Sequence, residues 1–107
     1  MGGLKLLKFL SAVQALREVD PNMTLTQLEA LLTIAKDEGI SVVEVQRRAN
    51  LSRTTSSRIV RALAGEDETS KGYKWVEMRT DPHDVRRRVL YLNEEGKKVI
   101  QGVLKHI

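Results

Sequence analysis

No cysteine occurs in the 107 residues, and histidine appears only at His83 and His106. A disulfide framework and a thiol nucleophile are therefore excluded, and the ligand spacings of a zinc site are missing. Long apolar runs are also lacking. Lys5 and Lys8 interrupt the most hydrophobic stretch, so nothing reaches the roughly 18 to 20 residues of a membrane span. The same Lys8, followed by Gln14, Arg17 and Glu18 in a helical pattern, argues against a signal peptide in spite of Ala12 and Ala15. A cytoplasmic protein without membrane contact is expected. Enzymatic signatures are absent: there is no phosphate loop, no glycine-rich dinucleotide fingerprint and no nucleophile elbow. The acids Glu66, Asp67 and Glu68 adjoin one another with no neighbour to divide acid and base roles. Neither catalysis nor a cofactor or metal is expected.

What is present is a chain long enough to bury roughly 60 to 70% of its unfolded surface, which suits one small domain spanning residues 1–107. Its 18 Lys and Arg against 14 Asp and Glu give a net charge of +4, but the excess is concentrated. Nine of the ten arginines lie between Arg47 and Arg88, and from Arg47 to Arg61 there are five without one acid. The planar guanidinium fork suits phosphates and guanine edges, so this enrichment points to nucleic acid more than lysine would.

Periodicity orders the elements. Leu6, Phe9, Leu10, Val13 and Leu16 recur at helical spacing over residues 4–19, and Asp20, Pro21 and Asn22 break the pattern. A second helix is expected from Thr24 or Thr26, with Thr26 and Glu29 at capping-box spacing, Leu28, Leu31, Leu32 and Ala35 as its buried stripe, and Gly39 as a left-handed exit. Ser41 and Glu44 repeat the capping box for a short third helix that Asn50 ends; Ser52 caps a fourth that runs to Ala64 before Gly65 and buries Ile59, Val60 and Leu63. Two short helices meeting at so tight a turn are the signature of a helix-turn-helix. A polar loop over 65–72 leads to two extended stretches, 75–79 and 86–92, separated by a turn at 80–84. Asn93 caps a closing helix whose stripe of Val99, Ile100, Val103, Leu104 and Ile107 continues to the last residue. The expected architecture is mostly α with a small β-hairpin wing, a winged helix-turn-helix.

On the fourth helix Arg53, Thr54, Ser57, Arg58 and Arg61 project opposite Ile59 and Leu63, because steps of four return to nearly the same angle. Slim hydroxyls between arginines let a helix backbone approach a major groove while the guanidinia reach guanine or phosphate. In the hairpin Arg86, Arg87 and Arg88 are consecutive, so the alternation of a strand sends at least one to each face. Asp84 is placed to bond Arg86 and hold the wing, whose arginines would reach the adjacent minor groove, with His83 at the tip. Ser41, Arg47 and Arg48, at the two ends of the third helix, are assigned to the DNA backbone.

The stretch 25–96 resembles the winged helix-turn-helix of the MarR family of bacterial transcriptional regulators. The matching segments are LTQLEALLTIA, ISVVEVQRRANLS, LSRTTSSRIVRAL and DPHDVRRRVLYLNEEG. The last is the most specific, since family members carry Asp, any residue, then Arg, and later Leu-Thr-x-x-Gly, where this sequence has Asp84, Val85, Arg86 and Leu92 to Gly96. Val85 replaces a frequent Arg, Arg61 replaces a common acid, and the 63–75 connection is longer than usual. The resemblance implies a homodimeric repressor that binds a palindromic operator in double-stranded DNA through a core over 24–93. Dimerisation would fall to the terminal helices, 4–19 and 94–107, through Leu6, Leu10, Val13, Ile100, Leu104 and Ile107. Family members usually continue through a further C-terminal helix that completes the dimer and lines a ligand pocket, so a small-molecule effector is left open. A winged-helix module that docks another protein, and a replication or partition protein using the same helix, are the alternatives.

Overall fold

The computed structural model describes residues 2–65 and 74–107. Five helices, α1 (Gly3–Val19), α2 (Leu25–Lys36), α3 (Val42–Arg48), α4 (Arg53–Leu63) and α5 (Glu94–Leu104), accompany three strands, β1 (Ile40–Ser41), β2 (Val76–Asp81) and β3 (Asp84–Leu92). The strands form one antiparallel sheet in the order β1-β3-β2. The expected winged helix-turn-helix is therefore observed, with one strand more than the hairpin alone. β1 pairs Ile40 with Leu90 and Ser41 with Val89, and Gly39, at φ +94°, donates its N–H to the Leu90 carbonyl at 2.7 Å. The acidic loop expected over 65–72 lies, beyond Gly65, outside the described residues.

Local hydrogen bonds fix most helix starts. Ser41, Ser52 and Asn93 each accept the backbone N–H three residues on, at 3.1, 3.1 and 2.8 Å, which removes one of the unpaired donors of each first turn. α2 begins earlier than the Thr26 box implied. Thr24 accepts from the Gln27 N–H at 3.1 Å, and the Gln27 side chain accepts the Thr24 N–H at 2.9 Å. Both threonines have suitable spacing, and the one with the reciprocal glutamine is the cap. The stripe of α2 differs as well: Ala30, Leu31 and Ile34 are fully buried, whereas Leu32 is exposed because Leu28 and Leu32 face a hollow beneath α1.

The core joins α2 (Ala30, Leu31, Ile34), α3 (Val45), α4 (Ile59, Val60, Leu63), the sheet (Ile40, Val76, Leu90, Leu92) and α5 (Ile100), with Trp75 at the entry to β2. α5 is tied to that entry: the Asn93 N–H bonds the Trp75 carbonyl at 2.9 Å, and its side-chain amide bonds the Lys74 carbonyl. Ile100, expected at a subunit interface, is only 8% exposed and belongs to this core, so it is withdrawn from that role. The helix also ends at Leu104, with Ile107 in the turn that follows.

α1 stands apart. Only Ala12 of its 17 residues is buried, and Leu4, Leu6, Leu7, Phe9, Leu10 and Val13 are exposed. Its packing is against α5, and the molecule measures 48 × 27 × 26 Å. An apolar hollow of about 260 Å³ lies between α1, α2 and α5, walled by residues such as Phe9, Leu16, Leu28, Val103 and Leu104. No helix among the described residues is long and apolar enough to cross a membrane.

Candidate nucleic-acid interface

The turn between α3 and α4 is built by Ala49, Asn50, Leu51 and Ser52. Asn50 adopts φ +52°, a left-handed conformation that asparagine tolerates better than most residues, and Leu51 donates its N–H back to the Gln46 carbonyl at 3.0 Å. Ser56, almost fully buried on the inner face of α4, donates to the Arg53 carbonyl at 3.1 Å and lies 3.4 Å from Gln46 Oε1 on α3. With the apolar side of α4 set against the core by Ile59, Val60 and Leu63, the opposite side is left to solvent. Arg53, Thr54, Arg58 and Arg61 are exposed there and Ser57 is half-buried.

The wing is shaped by an irregularity in its ladder. Thr80 pairs with Arg88 but Asp81 pairs with Asp84, so Val85, Arg86 and Arg87 stand outside regular pairing. A bulge re-aims side chains, and strict alternation across the ribbon no longer applies. All three arginines contribute to the lining of one groove. Asp84 holds the backbone of the wing rather than bonding the guanidinium: its Oδ1 accepts the Arg86 backbone N–H at 3.0 Å and lies 3.7 Å from Arg86 Nε. Arg86 is nonetheless 91% exposed. Arg87 lies 3.7 Å from Asp81, whose Oδ1 accepts the His83 N–H at 2.8 Å and closes the tip.

The groove between α4 and the wing has a volume of about 730 Å³. Arg53, Ser57 and Arg61 line one side and Arg86, Arg87 and Arg88 the other, with Glu44 and Asp84 as the only carboxylates among the described residues of its wall. Arg53, Arg61 and Arg88 have no ion-pair partner among the described residues. Thr54, Arg58 and His83 are exposed but outside the groove lining. Such a cleft, five arginines against two acids, suits a polyanion.

Three backbone-contact candidates are differently placed. Ser41 is 5% exposed and its hydroxyl is occupied by the Glu44 N–H. Arg47 bonds Glu44 through Nε at 2.9 Å and through Nη2, and Arg48 bonds Glu44 through Nε at 3.1 Å and Asp37 through Nη1. These bonds hold the Glu44 carboxyl at about 2, far below its ordinary 4.5, chiefly through Arg47 and then Arg48; they raise Arg47, and Asp37 followed by Glu44 raises Arg48. Sequence reasoning missed Gln46, Ser56 and Met78 as groove residues. Ser56 was open to inspection, because it shares the phase of Val60 and Leu63. Among the described residues no cluster of three or more His, Cys, Asp or Glu is arranged to hold a metal.

The family described as winged helix-turn-helix DNA-binding matches residues 19–66. Among solved structures, the chain is similar to MarR at 27% identity and a TM-score of 0.65, over 79% of this chain and 57% of that one. It thus spans little more than half of MarR's length. The transcriptional regulator Tm0710 of Thermotoga maritima matches at 19% identity and a TM-score of 0.76, over 94% of this chain and 65% of that one. MepR of S. aureus, solved as a complex with DNA, matches at 21% and 0.73, over 89% and 71%. No curated protein sequence matches the chain. The fold is that of the MarR-family regulators.

Proposed function

We propose that this chain, a winged helix-turn-helix protein of the MarR type, binds double-stranded DNA as a homodimer in the cytoplasm and represses transcription by occupying a promoter. The observation that carries the reading is the groove in which Arg53, Ser57 and Arg61 face Arg86, Arg87 and Arg88. α4 enters the major groove, where Arg53 and Arg61 reach guanine O6 and N7, and the slim Ser57 between them allows close approach. The wing arginines take the adjacent minor groove, whose negative potential deepens where it narrows. Thr54 and Arg58, exposed beside the groove, and His83 at the wing tip serve the flanking phosphates. The DNA complex of MepR, which shares this fold, supports the docking.

Self-association follows from α1. A large exposed apolar patch marks an association surface, and here Leu6, Leu10 and Val13 stand exposed beside Leu104 and Ile107. A second copy related by a two-fold axis covers α1 and the end of α5, and with them the hollow that they border. Such a dimer reads a palindrome with half-sites roughly 34 to 36 Å apart.

The experiment is a set of binding curves on a duplex selected from a random pool and on its scrambled counterpart. Arg53→Ala or Arg61→Ala is expected to cost about 1 to 3 kcal/mol on the selected duplex and much less on the scrambled one. Equal losses on both duplexes would mean that α4 does not read bases.

A further inference from the structure

We infer that Glu44 is a specificity-determining residue of this surface: it clamps Arg47 and Arg48 away from phosphate, so that indiscriminate binding to DNA is held down. The inference rests on the DNA-binding reading above. Glu44 is the third residue of α3, and its N–H is fixed by the Ser41 hydroxyl at 3.1 Å. Arg47 and Arg48 follow at three and four residues, the spacings that share a helix face. Both guanidinia close on the one carboxylate, Arg47 Nε on Oε2 at 2.9 Å and Arg48 Nε on Oε1 at 3.1 Å. Arg48 is held from its other side by Asp37, at the end of α2. Two acids and two arginines thus form a formally neutral group.

Of these four only Glu44 lines the groove. The wall beside Arg53 carries a carboxylate, therefore, while the arginines that α3 supplies are turned onto that carboxylate. Non-specific affinity arises mainly from phosphate neutralisation, each contact contributing about 0.9 to the salt slope and, by the same relation, about 3.5-fold in affinity between roughly 50 and 200 mM salt. On a selected site the position of α3 is set by what α4 and the wing hold, and only the phosphates within reach of that position are available to it. On a scrambled duplex no register is imposed, and a released arginine takes whichever phosphate is nearest. The clamp therefore raises the ratio of specific to non-specific binding, the quantity that matters among many competing sites.

The test compares the unmodified chain, Glu44→Gln, the pair Arg47→Ala with Arg48→Ala, and all three changes together, each on selected and scrambled duplexes at several salt concentrations. Glu44→Gln is expected to raise affinity for the scrambled duplex and to steepen its salt slope by about 0.9 to 1.8, as one or two phosphates are gained, so that the gain is about 3- to 12-fold larger at roughly 50 mM than at 200 mM salt. The ratio of selected to scrambled binding falls, and the gain disappears when both arginines are alanine. An unchanged or weakened scrambled affinity, with the unmodified chain still binding, overturns the clamp and leaves the DNA-binding reading in place. The same gain with and without the arginines also overturns it, because Glu44 would then act only by repelling phosphate. If the unmodified chain binds no duplex, the DNA-binding reading fails and this inference fails with it.

Discussion

Two glycines of α5, Gly96 and Gly102, provide opposite outcomes from the same substitution. By helix propensity alone, alanine is better than glycine by about 1 kcal/mol in a helix interior. At Gly102 a Cβ would meet nothing within 4 Å, so the propensity gain and the reduced freedom of the unfolded chain stand unopposed, and Gly102→Ala should stabilise by about 0.5 to 1 kcal/mol. At Gly96 the Cβ would fall inside van der Waals contact of the Trp75 carbonyl oxygen, with the carbonyl carbon at 3.0 Å and Cα at 3.2 Å. Those atoms are backbone, and the same carbonyl accepts the Asn93 N–H at 2.9 Å, so α5 must move away from β2 and weaken the bond that anchors it. Overpacking costs about 1 to 3 kcal/mol, and an unyielding partner puts this case near the top of that range. After the propensity gain, Gly96→Ala should be about 1 to 2 kcal/mol less stable. With roughly 4 to 8 °C per kcal/mol for a domain near this size, the melting point followed by circular dichroism should fall by about 4 to 16 °C for Gly96→Ala and rise by a few degrees for Gly102→Ala. A Gly96→Ala protein as stable as the unmodified chain would refute the packing described for the start of α5.

Leu10→Glu or Leu104→Glu should convert the chain to a monomer in sedimentation at micromolar concentration; an unmodified chain that is already monomeric and binds DNA tightly would refute the assembly. Ser52→Ala should cost about 1 kcal/mol of stability, since the cap at the start of α4 is lost, and a denaturant midpoint unchanged from the parent would contradict that role. The Glu44 carboxyl is lowered from 4.5 to about 2 in the folded chain, so its ion pairs contribute fully above about pH 4.5 and are lost as the pH falls toward 2. The stability difference between the unmodified chain and Glu44→Gln should accordingly be flat at neutral pH and shrink through that acid window, and a difference that grows on acidification would reverse the sign.

Features set by neighbours in the chain were legible from sequence. The caps Ser41, Ser52 and Asn93, the left-handed Gly39 and Asn50, and the buried phase of Ile59, Val60 and Leu63 all depend on residues within about one or two turns. Features that depend on distant partners were not. β1 is two residues long and exists because Ile40 meets Leu90, a pairing that no periodicity over two residues announces. The irregularity that leaves Val85, Arg86 and Arg87 outside regular pairing is a property of the β2–β3 register. Arg48 looked free to meet phosphate because its partner Asp37 lies on another helix, eleven residues earlier. Ile100 and Leu104 share a stripe, but only the packing of α5 against the core separates the buried one from the exposed one.

The most direct test of the central claim is nuclear magnetic resonance of the isotope-labelled chain titrated with a selected duplex. The account predicts that backbone and arginine side-chain signals of 53–61 and 84–88 shift together as DNA is added, while those of the exposed face of α1 and of Leu104 and Ile107 stay where they are. Shifts confined to α1 and the end of α5, with the groove between α4 and the wing unaffected, would contradict it.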